Sequence, residues 1–191
     1  MGMLGVDDPL PARPHRVLVA GTSGAGKSTL ARRIGQVLGL PYTELDSLFH
    51  GPNWVPRETF AAEVERFSAE PGWTCEWQYT PIRQLLADRA DLLVWLDLPH
   101  RTVMRQVIWR TLSRRMRREQ LWNGNTEGPL YTLFTDPDHI VKWAWKHHHR
   151  AAEKVLALTV ERPELPIVRL RSRAEADRWT ASLLRYQPDG L

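Results

Sequence analysis

The sequence predicts an α/β fold, a parallel sheet covered by helices on both faces. Three observations carry this reading. Short apolar runs rich in β-branched residues recur along the chain, each followed by a stretch with apolar residues at helical spacing. The first of these runs ends at a glycine-rich turn that opens a helix. Several later runs end in a carboxylate, and in parallel sheets ligands gather beyond the carboxyl ends of the strands.

Taken in order, residues 1–14 carry Gly, Asp and three prolines and are expected to form a flexible tail before a single domain spanning 15–191. Arg16 to Ala20 reads as a buried strand. Leu30, Ile34 and Val37/Leu38 then recur at helical spacing from Lys27, and Gly39 with Pro41 ends that helix. Pro41 to Asp46 is a weaker strand. Phe60, Val64 and Phe67 mark a helix over about 57–69. Trp73 to Glu76 is strand-like. Thr80 with Pro81 reads as an N-cap followed by proline at the first helical position, opening a helix to about Arg89. Leu92 to Leu96 is the clearest strand, with Asp97 at its end. A helix is expected from about Arg101 to Arg118, with Val103, Met104, Val107, Ile108, Leu112 and Met116 on its buried side. Asn123 to Pro129 carries dense turn signals. Asp136-Pro137 opens a helix running to about Val160, Ile167 to Leu170 forms the last strand, and Ser172 with Glu175 makes a capping box for the final helix.

Composition narrows the class. The hydrophobic share of 42% and charged share of 25% suit a globular domain of 191 residues. No apolar stretch approaches the roughly 20 residues of a membrane helix, and Met1 to His15 has no signal-peptide pattern. Val6 stands where a myristoylation motif needs Ser or Thr. One cysteine, Cys75, allows no intrachain disulfide. A cytoplasmic protein is expected. The net charge is +4, carried mostly by arginine, whose planar fork suits phosphorylated ligands; nucleic acid would satisfy the same preference. The nine tryptophans are expected mainly in the core or in pocket walls.

Gly21-Thr22-Ser23-Gly24-Ala25-Gly26-Lys27-Ser28 matches G-x-x-x-x-G-K-[ST] between a strand and a helix, the context that identifies a P-loop. Its glycines let backbone N–H groups turn inward around phosphate oxygens, and the helix amino-terminus adds its positive end. Gly21, Ser23, Gly24, Ala25, Gly26, Lys27, Ser28 and Thr29 are therefore expected to bind ATP or GTP, with Lys27 on the β- and γ-phosphates and the Ser28 hydroxyl on Mg²⁺.

Phosphoryl transfer also needs positive charge on the migrating group and often a base. Arg110, Arg114, Arg117 and Arg118 share one helix face and could form an arginine lid; a solvated surface stripe is the plainer alternative. Asp46 is a candidate base or Mg²⁺ partner, or else a turn cap. Glu76 is a candidate for the Mg²⁺ site, and Asp97 a helix cap or a second choice for that acid. His147-His148-His149 cannot chelate one ion together, because consecutive helical residues point in three directions.

The run VLVAGTSGAGKSTLARRIGQVLGLPYTELDSLFHGPNWVPRETF, with WTCEWQY, DLLVWLDLP, RTVMRQVIWRTLSRRMRRE and WAWKHHHR, resembles the bacterial adenylate-kinase-related P-loop kinases labelled DNA topology modulation proteins. The resemblance implies a nucleoside-monophosphate-kinase-like fold with a five-stranded parallel sheet and an arginine lid at about 110–135. It places Asp46, His50, Trp54 and Arg57 towards an acceptor, and Arg110, Arg114, Arg115 and Arg118 towards ATP. Relatives read Asp-Gly-Asn-Tyr where this chain has Glu76-Trp77-Gln78-Tyr79, so Trp77 is expected to fill space near the acceptor. The D-G-[FY]-P-R pattern of adenylate kinases is absent, and no DNA-binding motif is present.

Three functions stay open at this level. One is a kinase moving the γ-phosphoryl of Mg·ATP to a small-molecule or nucleotide-like acceptor, with Lys27, Asp46, Arg114 and Arg118 as its catalytic groups. Another is an ATP-hydrolysing or ATP-sensing regulator acting on nucleic acid. The third is a nucleotide-binding module without transfer activity. ATP and Mg²⁺ are the expected cofactors, and no membrane partner is expected.

Overall fold

The computed structural model describes residues 3–117 and 148–186. Five strands form one all-parallel sheet in the order β2-β3-β1-β4-β5. They are β1 (Arg16–Gly21), β2 (Tyr42–Thr43), β3 (Trp73–Glu76), β4 (Leu92–Leu96) and β5 (Ile167–Leu170). The helices are α1 (Lys27–Leu38), α2 (Leu45–Phe49), α3 (Phe60–Ser68), α4 (Thr80–Arg89), α5 (His100–Arg117), α6 (His148–Glu161) and α7 (Arg173–Ser182).

Side chains alternate across each strand, so one run supplies two cores. Val17 and Val19 of β1, Val94 of β4 and Val168 of β5 meet α1, α5 and α7 on one face. Leu18, Ala20, Cys75, Leu93 and Trp95 meet α3, α4 and α6 on the other. Both faces are covered, which is why β1 and β4 read as unbroken apolar runs. The buried Cys75 thiol is pushed up in pKa by desolvation and by Glu76, so it is a packing group rather than a nucleophile. The chain leaves β1 through α1 on one face and later crosses to β4 through α4 on the other. The P-loop thus sits centrally, at the carboxyl end of β1 between β3 and β4.

Several local expectations need correction. Residues 3–14 do not form a loose tail: Leu4 bridges Val168, with its N–H on the Ile167 carbonyl at 2.8 Å and its carbonyl accepting from Arg169 N–H at 2.9 Å. Leu10 is buried in the first core, and Arg13 donates to the Leu38 carbonyl at 2.8 Å. The backbone groups of an otherwise open sheet edge and two isolated leucines hold this segment down. The second strand stops at Thr43, and Asp46 lies instead in the first turn of α2. Tyr79, not Thr80, is the cap residue of α4, with Thr80 already helical. Ser172 accepts from Glu175 N–H at 3.1 Å as expected, but the Glu175 carboxylate returns to Arg171 N–H at 2.8 Å. Ile108 is 45% exposed, because α5 turns only Val103, Met104 and Val107 inward among its described side chains.

Docking of the amino-terminal segment predicts that Leu10→Ala lowers unfolding free energy by about 2–4 kcal/mol in urea titration, as for a core leucine. A change within ~0.5 kcal/mol, the scale of a surface site, would restore the loose tail.

Candidate active site

The P-loop turn is built on three glycines with positive φ, Gly21 at 152°, Gly24 at 83° and Gly26 at 97°. Gly24 has no room for a side chain: a Cβ there would collide with Val107 of α5. Gly26 caps α1 in the left-handed region, where a β-carbon costs energy even with open space around it. Ala25 N–H returns to the Thr22 carbonyl at 3.0 Å and closes the turn. The Gln106 amide, oriented by its partners, donates to the Gly24 carbonyl at 2.8 Å and accepts from Arg173 Nε at 3.0 Å. One side chain thereby ties the loop to α5 and α7.

Lys27 is half-buried, and its ammonium donates to the Thr22 carbonyl at 3.4 Å. Desolvation pushes its pKa down, the carboxylates of Asp46 and Glu76 pull it back up, and the Arg110 guanidinium pushes it down again. A burial cost of this kind is offset only by nearby opposite charge. Four sequence-predicted groups, from α1, α2, β3 and α5, therefore act on one another at this point.

Glu76 is 1% exposed at the end of β3. It accepts from the Tyr42 hydroxyl at 2.6 Å and from Leu45 N–H at 3.3 Å. The Tyr42 hydroxyl also interacts with the Ser28 side chain, and burial beside Glu76 pushes the phenol pKa well up, keeping it a neutral donor. Ser28, Tyr42 and Glu76 thus form a continuous polar chain of oxygens. Hard oxygen donors of this kind fit Mg²⁺, which favours hydroxyl, carboxylate and phosphate oxygens.

Asp46 accepts from Gln78 Nε2 at 2.7 Å and from the Tyr79 hydroxyl at 2.6 Å, and the same hydroxyl lies 3.4 Å from His50 Nε2. Burial and the Asp46 carboxylate raise the Tyr79 phenol pKa, so this hydroxyl also stays protonated and donates. Tyr79 takes φ 62° with ψ 106°, a positive-φ conformation unfavourable for an aromatic residue. It is held there by stacking on Phe49 at 4.3 Å and an edge contact with Phe60 at 5.2 Å. His50 packs edge-on against Trp54, which is 40% exposed and also has a positive φ.

Other expectations fare differently. Arg57 does not present a bare guanidinium: it pairs with Glu63 at 2.5 Å and donates to the Leu48 carbonyl at 3.4 Å. Asp97 neither caps α5 nor joins the Ser28–Glu76 chain. Its carboxylate pairs with Arg169, whose guanidinium lies 4.7 Å from the Trp95 ring centroid. Trp77 packs against the second core and donates from its indole to the Arg83 carbonyl at 3.0 Å. Arg114 and Arg115 lie on α5, but their side chains, together with Arg118, His147 and the lid from residue 118 onward, fall outside the described residues. Sequence reasoning missed Tyr42 and Gln106, and it named Gln78 and Tyr79 only within a motif.

No family model matches the chain. Among curated proteins it is similar to the bifunctional pantoate ligase/cytidylate kinases of Trichormus variabilis and of a Nostoc species, 29% identical over 82 residues in each case. That match takes in 42% of this chain and 15% of each relative, so the chain spans only a small part of their length. Among solved structures, a shikimate kinase from Acinetobacter baumannii in complex with shikimate aligns with a TM-score of 0.54 at 14% identity, covering 90% of this chain and 92% of that one. A gluconokinase from Sinorhizobium meliloti aligns at a TM-score of 0.49 and 18% identity, covering 92% and 94%. The shikimate kinase likeness agrees with the five-stranded parallel P-loop fold.

Steric closure at Gly24 leads to a paired prediction. Gly24→Ala is expected to weaken Mg·ATP binding more than tenfold by calorimetry, because the loop must move to clear Val107. Gly39→Ala, at a left-handed position with open space, is expected to cost ~1 kcal/mol of stability with unchanged ATP affinity. Equal effects on binding would overturn the assignment of the cradle.

Proposed function

We propose that this chain is a kinase that transfers the γ-phosphoryl of ATP to a hydroxyl of a small-molecule or nucleotide-like acceptor. The observation that carries the reading is the convergence of Asp46, Glu76 and Arg110 on the half-buried, desolvated Lys27 ammonium at the mouth of the P-loop. A structural ion pair needs one carboxylate, whereas this site supplies two with separate hydrogen-bonding sets. Glu76 is held towards Ser28, and Asp46 towards the aromatic wall of Phe49, His50 and Trp54.

The division suits phosphoryl transfer. The loop N–H groups and Lys27 hold the β- and γ-phosphates. Ser28 and Glu76 would hold Mg²⁺, which supplies charge neutralisation at the phosphate oxygens when bound. Asp46 accepts the proton of the acceptor hydroxyl as its oxygen bonds to the γ-phosphorus. The bond to the β–γ bridging oxygen breaks, and ADP leaves with the electron pair. The Gln78 amide and the Tyr79 hydroxyl fix one Asp46 oxygen, leaving the other for the acceptor. Arg110 meets phosphate charge, and Arg114 and Arg118 are assigned to the same task in the transition state. On this reading the chain is a kinase of the DNA topology modulation type that uses Mg²⁺ and works in the cytoplasm.

ADP release tests the reading, measured with ATP alone and with pools of sugars, nucleosides and hydroxy acids. Acceptor-stimulated release is expected. Lys27→Ala should abolish it while the protein stays folded, and Asp46→Asn should reduce it by ~10²–10⁴-fold at nearly unchanged Mg·ATP affinity. Release stimulated by DNA and by none of the pools would instead make the chain a nucleic-acid-linked ATPase.

A further inference from the structure

Between Ser28 and Glu76 stands a side chain that the transfer chemistry above does not use, the phenol of Tyr42. Helix α1 turns Ser28, Ala31 and Gly35 to one face, at i, i+3 and i+7. That face lies against β2 and β3. Thr74 of β3 donates from its hydroxyl to the Ala31 carbonyl at 2.7 Å. A Cβ on Gly35 would lie 3.4 Å from the Thr74 methyl and 3.6 Å from Tyr42 Cβ, so the helix packs closely on these two strands. Tyr42 and Thr74 are partners in the β2–β3 register. The Tyr42 ring is therefore held along the face of α1 that carries Ser28, with the Arg32 guanidinium of the same helix 5.1 Å from its centroid.

At the tip of the ring the hydroxyl serves two groups. Its one proton is committed to Glu76 Oε1 at 2.6 Å, and that carboxylate is buried. A phenol that donates to a carboxylate has only lone pairs left to offer. The Ser28 side chain, its other partner, must therefore donate to it. Glu76 strengthens this bond, because a hydroxyl polarised by a charged acceptor becomes a better acceptor itself. Serine also has one proton, so its own lone pairs are left for the side away from Tyr42. A hydroxyl that ligates a cation needs this arrangement, with a lone pair on the ion and the proton on an acceptor behind it.

We propose that Tyr42 is a positioning residue of the Mg²⁺ site, which takes the Ser28 proton and so turns a Ser28 lone pair towards the cation. It acts through Ser28 and is not a metal ligand. The proposal rests on the assignment of Ser28 and Glu76 to Mg²⁺ within the kinase reading.

Mg²⁺ is titrated calorimetrically into the full chain holding stoichiometric ADP. The wild-type complex is expected to bind Mg²⁺ more tightly than free ADP does. Tyr42→Phe is expected to weaken Mg²⁺ binding by about 10–100-fold, the range for a group that orients a metal ligand, while ADP affinity in EDTA stays unchanged. Arg32→Gln, which strips the cation from the ring face but leaves the hydroxyl, should match the wild type. In a Ser28→Ala background, Tyr42→Phe should cost little more, because its effect runs through that serine. If Tyr42→Phe does not fold, 3-fluorotyrosine at position 42 keeps the shape and the hydroxyl while making the oxygen a poorer acceptor, and should weaken Mg²⁺ in the same direction. Wild-type Mg²⁺ affinity in the position-42 variant that folds overturns the proposal and leaves the kinase reading standing. So does an equal loss in Arg32→Gln, or a loss that simply adds to that of Ser28→Ala. A wild-type complex that binds Mg²⁺ no better than free ADP overturns the Mg²⁺ assignment, and this proposal with it. Failure of ADP to bind at all overturns the P-loop reading beneath both.

Discussion

A partly desolvated ammonium organises this molecule. Lys27 opens the helix that follows the central strand, and nothing apolar can neutralise it there. The fold meets that demand by placing carboxylates on its neighbours: β3 terminates at Glu76, and the short helix after β2 carries Asp46 in its first turn. Each carboxylate needs donors of its own. Tyr42 and the Leu45 amide serve Glu76, while Gln78 and Tyr79 serve Asp46. Tyr79 makes its bond to Asp46 from a strained, positive-φ backbone.

Elsewhere the fold uses its charges for fastening. Asp91 accepts from the backbone N–H groups of His15 and Arg16, locking the start of β1 to the start of β4. Asp97 and Arg169 join the far ends of β4 and β5, and Arg162 staples α6 to α4. These pairs occupy charges that might otherwise be read as functional. Asp97 is the instructive case, because it stands at a strand terminus, where a metal-site acid is often sought.

The strands and most helices were legible in the sequence because their signals are local: alternating or helical spacing, proline, glycine and capping residues. The P-loop was legible for the same reason. What stayed hidden depends on distance along the chain. Leu4 and Leu10 stand as isolated apolar residues among prolines and aspartates; the edge of β5, far along the chain, gives Leu4 its role, and the first core gives Leu10 its own. Asp46 was found, but its two donors lie 32 and 33 residues on, and the partner of Asp97 lies 72 residues on. A helix as short as α2 leaves too few residues for periodicity to register. The Gln78-Tyr79 pair did carry a signal, lying two residues beyond a candidate metal acid.

Gln106 has a mechanical consequence. Helix α5 has 18 residues, a rod about 27 Å long at 1.5 Å per residue. It is bolted near its start to the Gly24 carbonyl by Gln106 and wedged against the same glycine by Val107. The arginine-bearing half extends beyond that fulcrum. A stiff rod pivoted at one end converts swing at its tip into torque at the pivot. The glycine turn and the distal half of α5 are therefore mechanically linked through this one contact, and Arg173 on the last helix anchors it to the frame.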